Sequence, residues 1–316
     1  MNILLTGGTG FIGSLLLPTL LGPSELGGGH RVTVLTRRPA KFSLKHQEAI
    51  ACAQLRVIGT LQELTRDDVY DAIINLAGEG IADKPWSAQR KRELHDSRIT
   101  LTEELVEWIR RAKQKPRVLI SGSAIGWYGN QGDKVLEEGA LPHVEYVHEL
   151  CRDWEHAAAA AEAHGLRVCL LRTGVVIGAG GGMLRKLLPL FGLGIAGQLG
   201  NGRQYLSWVS LGDVVQIILR LLNDNTLHGV FNATGPRPVT NAEFTHTLAR
   251  LLRRPAFLRL PASVLKMAMG EMSTLLLDGQ RVVPSRLLQA RFTFQHASLE
   301  DALRAALSQQ RRGSSD

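Results

Sequence analysis

The sequence predicts a doubly wound α/β fold, a parallel sheet with helices on both faces, joined to a smaller C-terminal α/β region on the side where a ligand would sit. Three observations carry this expectation. A glycine-rich turn, Gly7-Gly8-Thr9-Gly10-Phe11-Ile12-Gly13, lies directly between an apolar run and a helical pattern. Short, nearly continuous apolar runs alternate with helical patterns as far as residue 176, as expected of strands buried on both faces. The chain of 316 residues, 44% hydrophobic, exceeds the roughly 100–200 residues of an ordinary domain.

The elements follow in order. Residues 2–6 read as a first strand and 13–21 as a helix, then 31–36 (RVTVLT) as a second strand rich in β-branched residues. The glycine-rich stretch 22–29 between them reads as a surface turn. Residues 54–58, 72–77 (AIINLA), 117–121 (RVLIS) and 167–172 (RVCLLR) are the later strands. Residues 100–111 and 150–164 are helices. The second half changes character. Glycine-rich loops at 178–182 and 192–202 flank a short helix at 183–191. Asp213 reads as the N-cap of a helix to residue 222, 229–233 as a strand, and Thr240-Asn-Ala-Glu243 as a capping box. Residues 255–260 read as a strand, 299–307 as a last helix, and 309–316 as a disordered polar tail. Residues 1–176, with a return segment at about 205–235, form the expected nucleotide-binding domain. Residues 177–204 and 236–316 form the second region.

Composition excludes several classes. With 37 Lys and Arg against 29 Asp and Glu the formal charge is +8. The basic residues are scattered and accompany no nucleic-acid motif, so no nucleic-acid partner is expected. Cys52, Cys151 and Cys169 are far apart, without zinc or redox spacing, and read as free thiols in a reducing cytoplasm. His95, His143, His148 and His246 make no metal spacing, and no metal is expected. The N-terminus runs straight into glycines without a basic leader, and the longest apolar stretch, 187–199, contains Pro189 and three glycines. A cytoplasmic protein without a membrane span is expected.

The strand–turn–helix context makes the glycine turn a dinucleotide site. Gly7, Gly10 and Gly13 permit a tight turn, so that backbone amides around Thr9, Phe11 and Ile12 can meet a pyrophosphate at the helix N-terminus. The end of the second strand selects the cofactor. An acid there would bind a ribose 2′-hydroxyl, but this strand ends Thr36-Arg37-Arg38-Pro39. A guanidinium suits a 2′-phosphate, so NADP(H) is the expected cofactor.

The chain resembles the extended short-chain dehydrogenase/reductases, the NAD-dependent epimerase/dehydratase superfamily. The resemblance rests on TGGTGFIG, on Asn75-Leu76-Ala77-Gly78, on Ser121-Gly122-Ser123-Ala124 with Tyr128-Gly129 behind it, and on the segment from Tyr205 through Trp208 to Asp213. The runs NLAGEGIADKPWS, SGSAIGWYG, CRDWE, LLRTGVVIG, GNGRQYLSW and LLLDGQRVVP narrow it to the atypical "epimerase family protein" group, YfcH-like, with its own C-terminal domain of unknown function at about 258–307. It covers nearly the whole chain and implies a Rossmann-type fold, with a monomer or a helix-paired homodimer.

The resemblance also implies a catalytic tyrosine and a lysine four residues later, the lysine lowering the tyrosine's pKa for proton transfer. Here Tyr146 is followed by Leu150. Aligned on Glu155, the pair falls on Val147 and Cys151. Ser123 fits the role of orienting a substrate oxygen, and Tyr128 and Cys151 are the candidate substitutes for the missing donor. Leu76, Ala77 and Ser121 at strand ends are expected at the cofactor, with Glu93 and Arg98 sharing a helix face. Arg172 is expected at a carboxyl edge, facing either a protein carboxylate or the cofactor. Gln204, Tyr205 and Trp208 are expected to line the site of a small polar substrate. Two functions follow: an NADP(H)-dependent oxidoreductase or epimerase with a departed mechanism, or an NADP(H)-binding sensor or regulatory protein without turnover.

Overall fold

The computed structural model describes residues 1–312. Seven strands form the central sheet: β1 (Asn2–Thr6), β2 (Arg31–Leu35), β3 (Leu55–Ile58), β4 (Ala72–Asn75), β5 (Val118–Ala124), β6 (Arg167–Thr173) and β7 (Gly229–Ala233). Their order is β7-β6-β5-β4-β1-β2-β3, and every pairing is parallel. The order reverses between β1 and β4, so the crevice at their carboxyl ends is where such sheets take ligands.

Among the described residues, eight helices of nine residues or more surround the sheet and continue beyond it: α1 (Gly13–Leu21), α2 (Ala88–Asp96), α3 (Ile99–Arg111), α4 (Tyr146–Ala159), α5 (Gly182–Gly192), α6 (Leu211–Asn223), α7 (Asn241–Leu252) and α8 (Leu299–Arg312). On one face, Leu16 and Leu20 of α1 and Val214, Ile217 and Leu221 of α6 pack against Leu5, Val34, Ile74, Ile120 and Leu171. On the other, Leu105, Trp108 and Ile109 of α3 pack against Leu4, Ile73, Leu119 and Val168. Adjacent residues such as Leu4 and Leu5 thus enter different cores, which is why these strands read as continuous apolar runs.

A third core belongs to the second half. Leu184 and Phe191 of α5, Trp208, Phe244 and Leu248 of α7, and Leu299 and Leu303 of α8 close on one another. Four segments separated in sequence therefore share one interior.

Several element expectations need correction. Asp213 is not the N-cap of α6. Ser210 is, its Oγ accepting from the Asp213 amide at 3.0 Å while donating to Asp213 Oδ2 at 2.6 Å. The Asp213 carboxylate also receives the amides of Gln295 and His296 at 2.7 and 3.2 Å, so it fastens a distant loop. The 22–29 loop contains a 3-10 turn, Ser24–Leu26. The helix expected at 150–164 begins at Tyr146 and tightens to 3-10 geometry over Ala160–His164. The last helix runs to Arg312, so residues 309–312 are helical, and the rest of the expected polar tail lies outside the described residues. Among the described residues no helix is long and apolar enough to cross a membrane, and no cluster of His, Cys, Asp and Glu could hold a metal ion.

Candidate functional site

The glycine turn is built for close approach. Gly7 has φ +72°, and a Cβ there would stand 2.5 Å from the Leu76 carbonyl at the end of β4. At Gly13 a Cβ would collide with the Gly7 oxygen and lie 2.7 Å from Gly8 Cα. The two glycines bring α1, β1 and β4 together. Gly10 N–H closes the turn on the Gly7 carbonyl at 2.9 Å. No side chain caps α1 and no acid lies in its first turn, and the amides of Phe11 and Ile12 find no acceptor among the described residues. Those amides, with the positive end of the helix, are free to accept an anion. The Phe11 ring lies against Gly178, Gly181 and Gly182, where added Cβ atoms would clash with it. Ile12 packs against the sheet's first core.

Beside this turn opens a cavity of about 660 Å³, lined by Thr9, Thr36, Arg37, Arg38, Lys41, Phe42, Lys45 and Glu79. Arg37 reaches across it to the Glu79 carboxylate with a side chain 87% exposed. The Arg37 guanidinium, with Arg90 behind it, holds the Glu79 carboxyl below its usual range. Sequence reasoning found Thr36 and Arg37 and missed Arg38, Lys41, Lys45 and Glu79. The signal available was the density of cations just after the second strand, since the short helix Pro39–Ser43 holds only Lys41 and leaves Arg37 and Lys45 on either side of it.

The end of β4 is held by a buried polar network. Thr6 Oγ1 donates to Asn75 Oδ1 at 2.6 Å. The Asn75 amide donates to Thr102 Oγ1 at 2.8 Å and Ser121 Oγ at 3.2 Å. The Ala77 amide donates to Thr6 Oγ1 at 3.2 Å. Leu76 and Ala77 are thereby fixed over the glycine turn. Ser121 is corrected from a cofactor contact to a fully buried member of this network.

Glu93 and Arg98 do not share a helix face, because α2 ends at Asp96 and Arg98 is the N-cap of α3. Glu93 pairs with Arg90 at 2.8 Å. Arg98 donates to the carbonyls of Leu94 and Glu79 at 3.1 and 2.7 Å and lies over the Trp154 ring. Burial lowers its pKa, and among the described residues no carboxylate pairs with it.

The expected catalytic region is closed on itself. Ser123 Oγ donates to Glu155 Oε1 at 2.6 Å, and Arg172 grips the same carboxylate with Nε and Nη2 at 2.7 and 2.8 Å. The Arg172 guanidinium also stacks on Trp127 at 3.5 Å. Of the two partners expected for Arg172, a protein carboxylate or the cofactor, the structure supplies the carboxylate of Glu155. Tyr128 is fully buried and donates to Asn232 Oδ1 at 2.7 Å. Burial also raises its pKa, and its hydroxyl is turned to Asn232 inside the fold rather than into an open site.

Val147 and Cys151 face Gly126. Burial, followed by the Glu155 charge, pushes the Cys151 thiol up to about 12. A thiol so shifted is neither acid nor nucleophile near neutrality. In native protein at pH 8, iodoacetamide is expected to label exposed Cys52 and leave buried Cys151 and Cys169 unmodified, as read by peptide mass spectrometry. Rapid labelling of Cys151 would contradict this.

The residues expected at a substrate are mostly engaged elsewhere. Trp208 is fully buried with Nε1 on the Arg237 carbonyl at 2.9 Å, and so belongs to the core. Gln204 spends its amide on the carbonyls of Leu199 and Leu276 at 3.1 and 2.9 Å. Tyr205 is half-buried beneath the Arg281 guanidinium. Two ion pairs tie the 80–91 segment to the second region: Lys186 to Asp83 at 2.9 Å and Lys91 to Glu271 at 2.6 Å.

Comparison with known proteins agrees with this geometry. Residues 3–254 match the model of the NAD dependent epimerase/dehydratase family, and residues 260–306 match a domain of unknown function, DUF1731. The chain is 40% identical over 303 residues to the epimerase family protein MT2273 of Mycobacterium tuberculosis, covering 95% of this chain and 96% of the relative. A crystal structure of human epimerase family protein SDR39U1 (isoform 2) with NADPH superposes with a TM-score of 0.85 at 30% identity, covering 98% of this chain and 99% of that one. UDP-glucuronic acid 4-epimerase from Bacillus cereus, solved with NAD, shares the fold at a TM-score of 0.75 and 18% identity, with 99% and 97% covered. With its glycine turn, its seven-stranded parallel sheet and its C-terminal unit, the chain belongs to the NAD dependent epimerase/dehydratase family, in the group of epimerase family proteins that carry DUF1731.

Proposed function

We propose that this protein binds NADP(H) across the carboxyl edge of its sheet, as an atypical short-chain dehydrogenase/reductase acting on a small polar substrate. The observation that carries the reading is the cavity at the end of β2, where four cations, Arg37, Arg38, Lys41 and Lys45, surround one acid. That charge suits a 2′-phosphate. The residues fit the rest of such a cofactor. The free amides of Phe11 and Ile12 would hold the pyrophosphate, with Gly7, Gly10 and Gly13 clearing its approach. Thr9 and Thr36 line the phosphate cavity, and Leu76 and Ala77 present backbone beside the glycine turn. Arg98, with which no carboxylate forms an ion pair among the described residues, stands beside Gly78 and would supply a further charge. Human SDR39U1, which was crystallised with NADPH, supports the assignment.

The bound cofactor supplies hydride transfer, as an oxidoreductase or epimerase requires. This chain's residues bind and orient it. The tyrosine–lysine proton relay has no counterpart at Val147 and Cys151. Changing Arg37 to Ala is expected to weaken NADPH binding about tenfold by fluorescence titration and to leave NADH binding nearly unchanged. Unchanged NADPH affinity would refute the cofactor assignment.

A specific observation favours a second reading, an NADP(H)-binding sensor without turnover: Ser123, Tyr128 and Cys151 are all engaged or inert within the fold. Following 340 nm absorbance against a panel of carbonyl compounds separates the two. Cofactor oxidation with any of them establishes the oxidoreductase, and cofactor binding with neither oxidation nor a change in any sugar or carbonyl compound by NMR establishes the sensor.

A further inference from the structure

The acid that a ribose needs is present in this site, on a different strand from the usual one. It ordinarily ends β2. Here β2 runs out into Thr36, Arg37 and Arg38, and the acid lining the cavity is Glu79, from the loop after β4. Its backbone is pinned: the amide donates to Ser97 Oγ at 3.1 Å, and the carbonyl accepts from Arg98 at 2.7 Å. Its carboxylate is divided, with Oε1 on Arg37 and Oε2 facing both terminal nitrogens of Arg90 at 3.5 Å.

The two partners differ in how firmly they are held. Arg90 is buried and already fixed by Glu93 and by the Gly80 carbonyl, each at 2.8 Å. Arg37 is exposed, and Glu79 is its single partner among the described residues. An ion pair with so exposed a cation holds weakly, so Arg37 is free to exchange while Arg90 keeps the carboxylate in position.

We propose that Glu79 is the ribose carboxylate of this site and Arg37 its exchangeable partner, so that the pocket takes both NADH and NADPH. With a 2′-hydroxyl, Glu79 accepts from the ribose. With a 2′-phosphate, Arg37 leaves Glu79 for the phosphate. Cofactor preference is then set by the exchange of one ion pair. This rests on the cofactor reading above, and the test keeps the two apart.

Wild type, Glu79→Gln and Arg37→Ala are titrated with NADH and with NADPH by calorimetry on the full chain. Glu79→Gln is expected to weaken NADH about tenfold and to leave NADPH equal or tighter, because a negative charge beside the phosphate is gone. If Glu79→Gln leaves NADH unchanged, or weakens both cofactors equally, the proposal fails. It also fails if the wild type does not bind NADH. Those results leave the NADP(H) reading standing wherever Arg37→Ala still weakens NADPH. Conversely, an Arg37→Ala protein with undiminished NADPH affinity overturns the NADP(H) reading, whatever Glu79 does to NADH.

Discussion

Replacing Glu155 with alanine is expected to cost about 3–5 kcal/mol of stability, the range for stranding one member of a buried ion pair. In a chain of this size that lowers the melting temperature by about 5–8 °C. Arg172 would remain buried on Trp127 with both of its carboxylate bonds gone, and Ser123 would lose its acceptor. Calorimetric melting of Glu155→Ala checks the size. Melting of a Glu155→Leu, Arg172→Met double variant checks the cause, since removing both charges together should recover most of the loss. A single variant that melts within 2 °C of wild type would show that the pair is not what holds β5, β6 and α4 together.

The second large effect is expected at Gly13. A methyl group there meets the Gly7 oxygen and the Gly8 backbone, neither of which is a movable side-chain tip. The start of α1 must swing away from β1, which moves the amides of Phe11 and Ile12 off the place proposed for the pyrophosphate. Gly13→Ala should lose about 1–3 kcal/mol of stability, and NADPH affinity should fall by about a hundredfold or more, since aligned charge-assisted bonds are lost together. Gly139→Ala is the matched control, because nothing lies within 4 Å of its added carbon. Wild-type affinity in Gly13→Ala would remove the glycine turn from the binding site.

The parts of this protein that were legible in its sequence are those whose cause is local. Gly7 and Gly13 announce a backbone geometry, and the runs around Leu4, Ile73 and Leu119 announce burial on two faces. Arg37 was legible because its place follows from the strand it ends. What escaped depends on partners far along the chain. Arg172 offered two readings until α4 brought Glu155 beneath it. Asp213 looked like a cap and instead serves amides some 80 residues away. Trp208 was read as a ligand-facing aromatic, but its indole nitrogen is satisfied by Arg237 inside the third core. Glu79 left no mark, because an acid after β4 meets the end of β2 only once the sheet has formed.

The route of the chain after β6 has a consequence for synthesis. Residues 174–228 leave the sheet and contribute to the third core, then return through α6 to place β7 beside β6. While the ribosome is still making that excursion, the outer edge of β6 has no neighbour, and the face that α6 will cover, including Leu5, Ile120 and Leu171, is open to water. A bare parallel edge beside an uncovered apolar face invites pairing with other nascent chains. The emerging polypeptide is therefore most in need of chaperone protection until residue 233 has cleared the exit tunnel, and a gene fragment ending near residue 176 would encode that vulnerable state permanently.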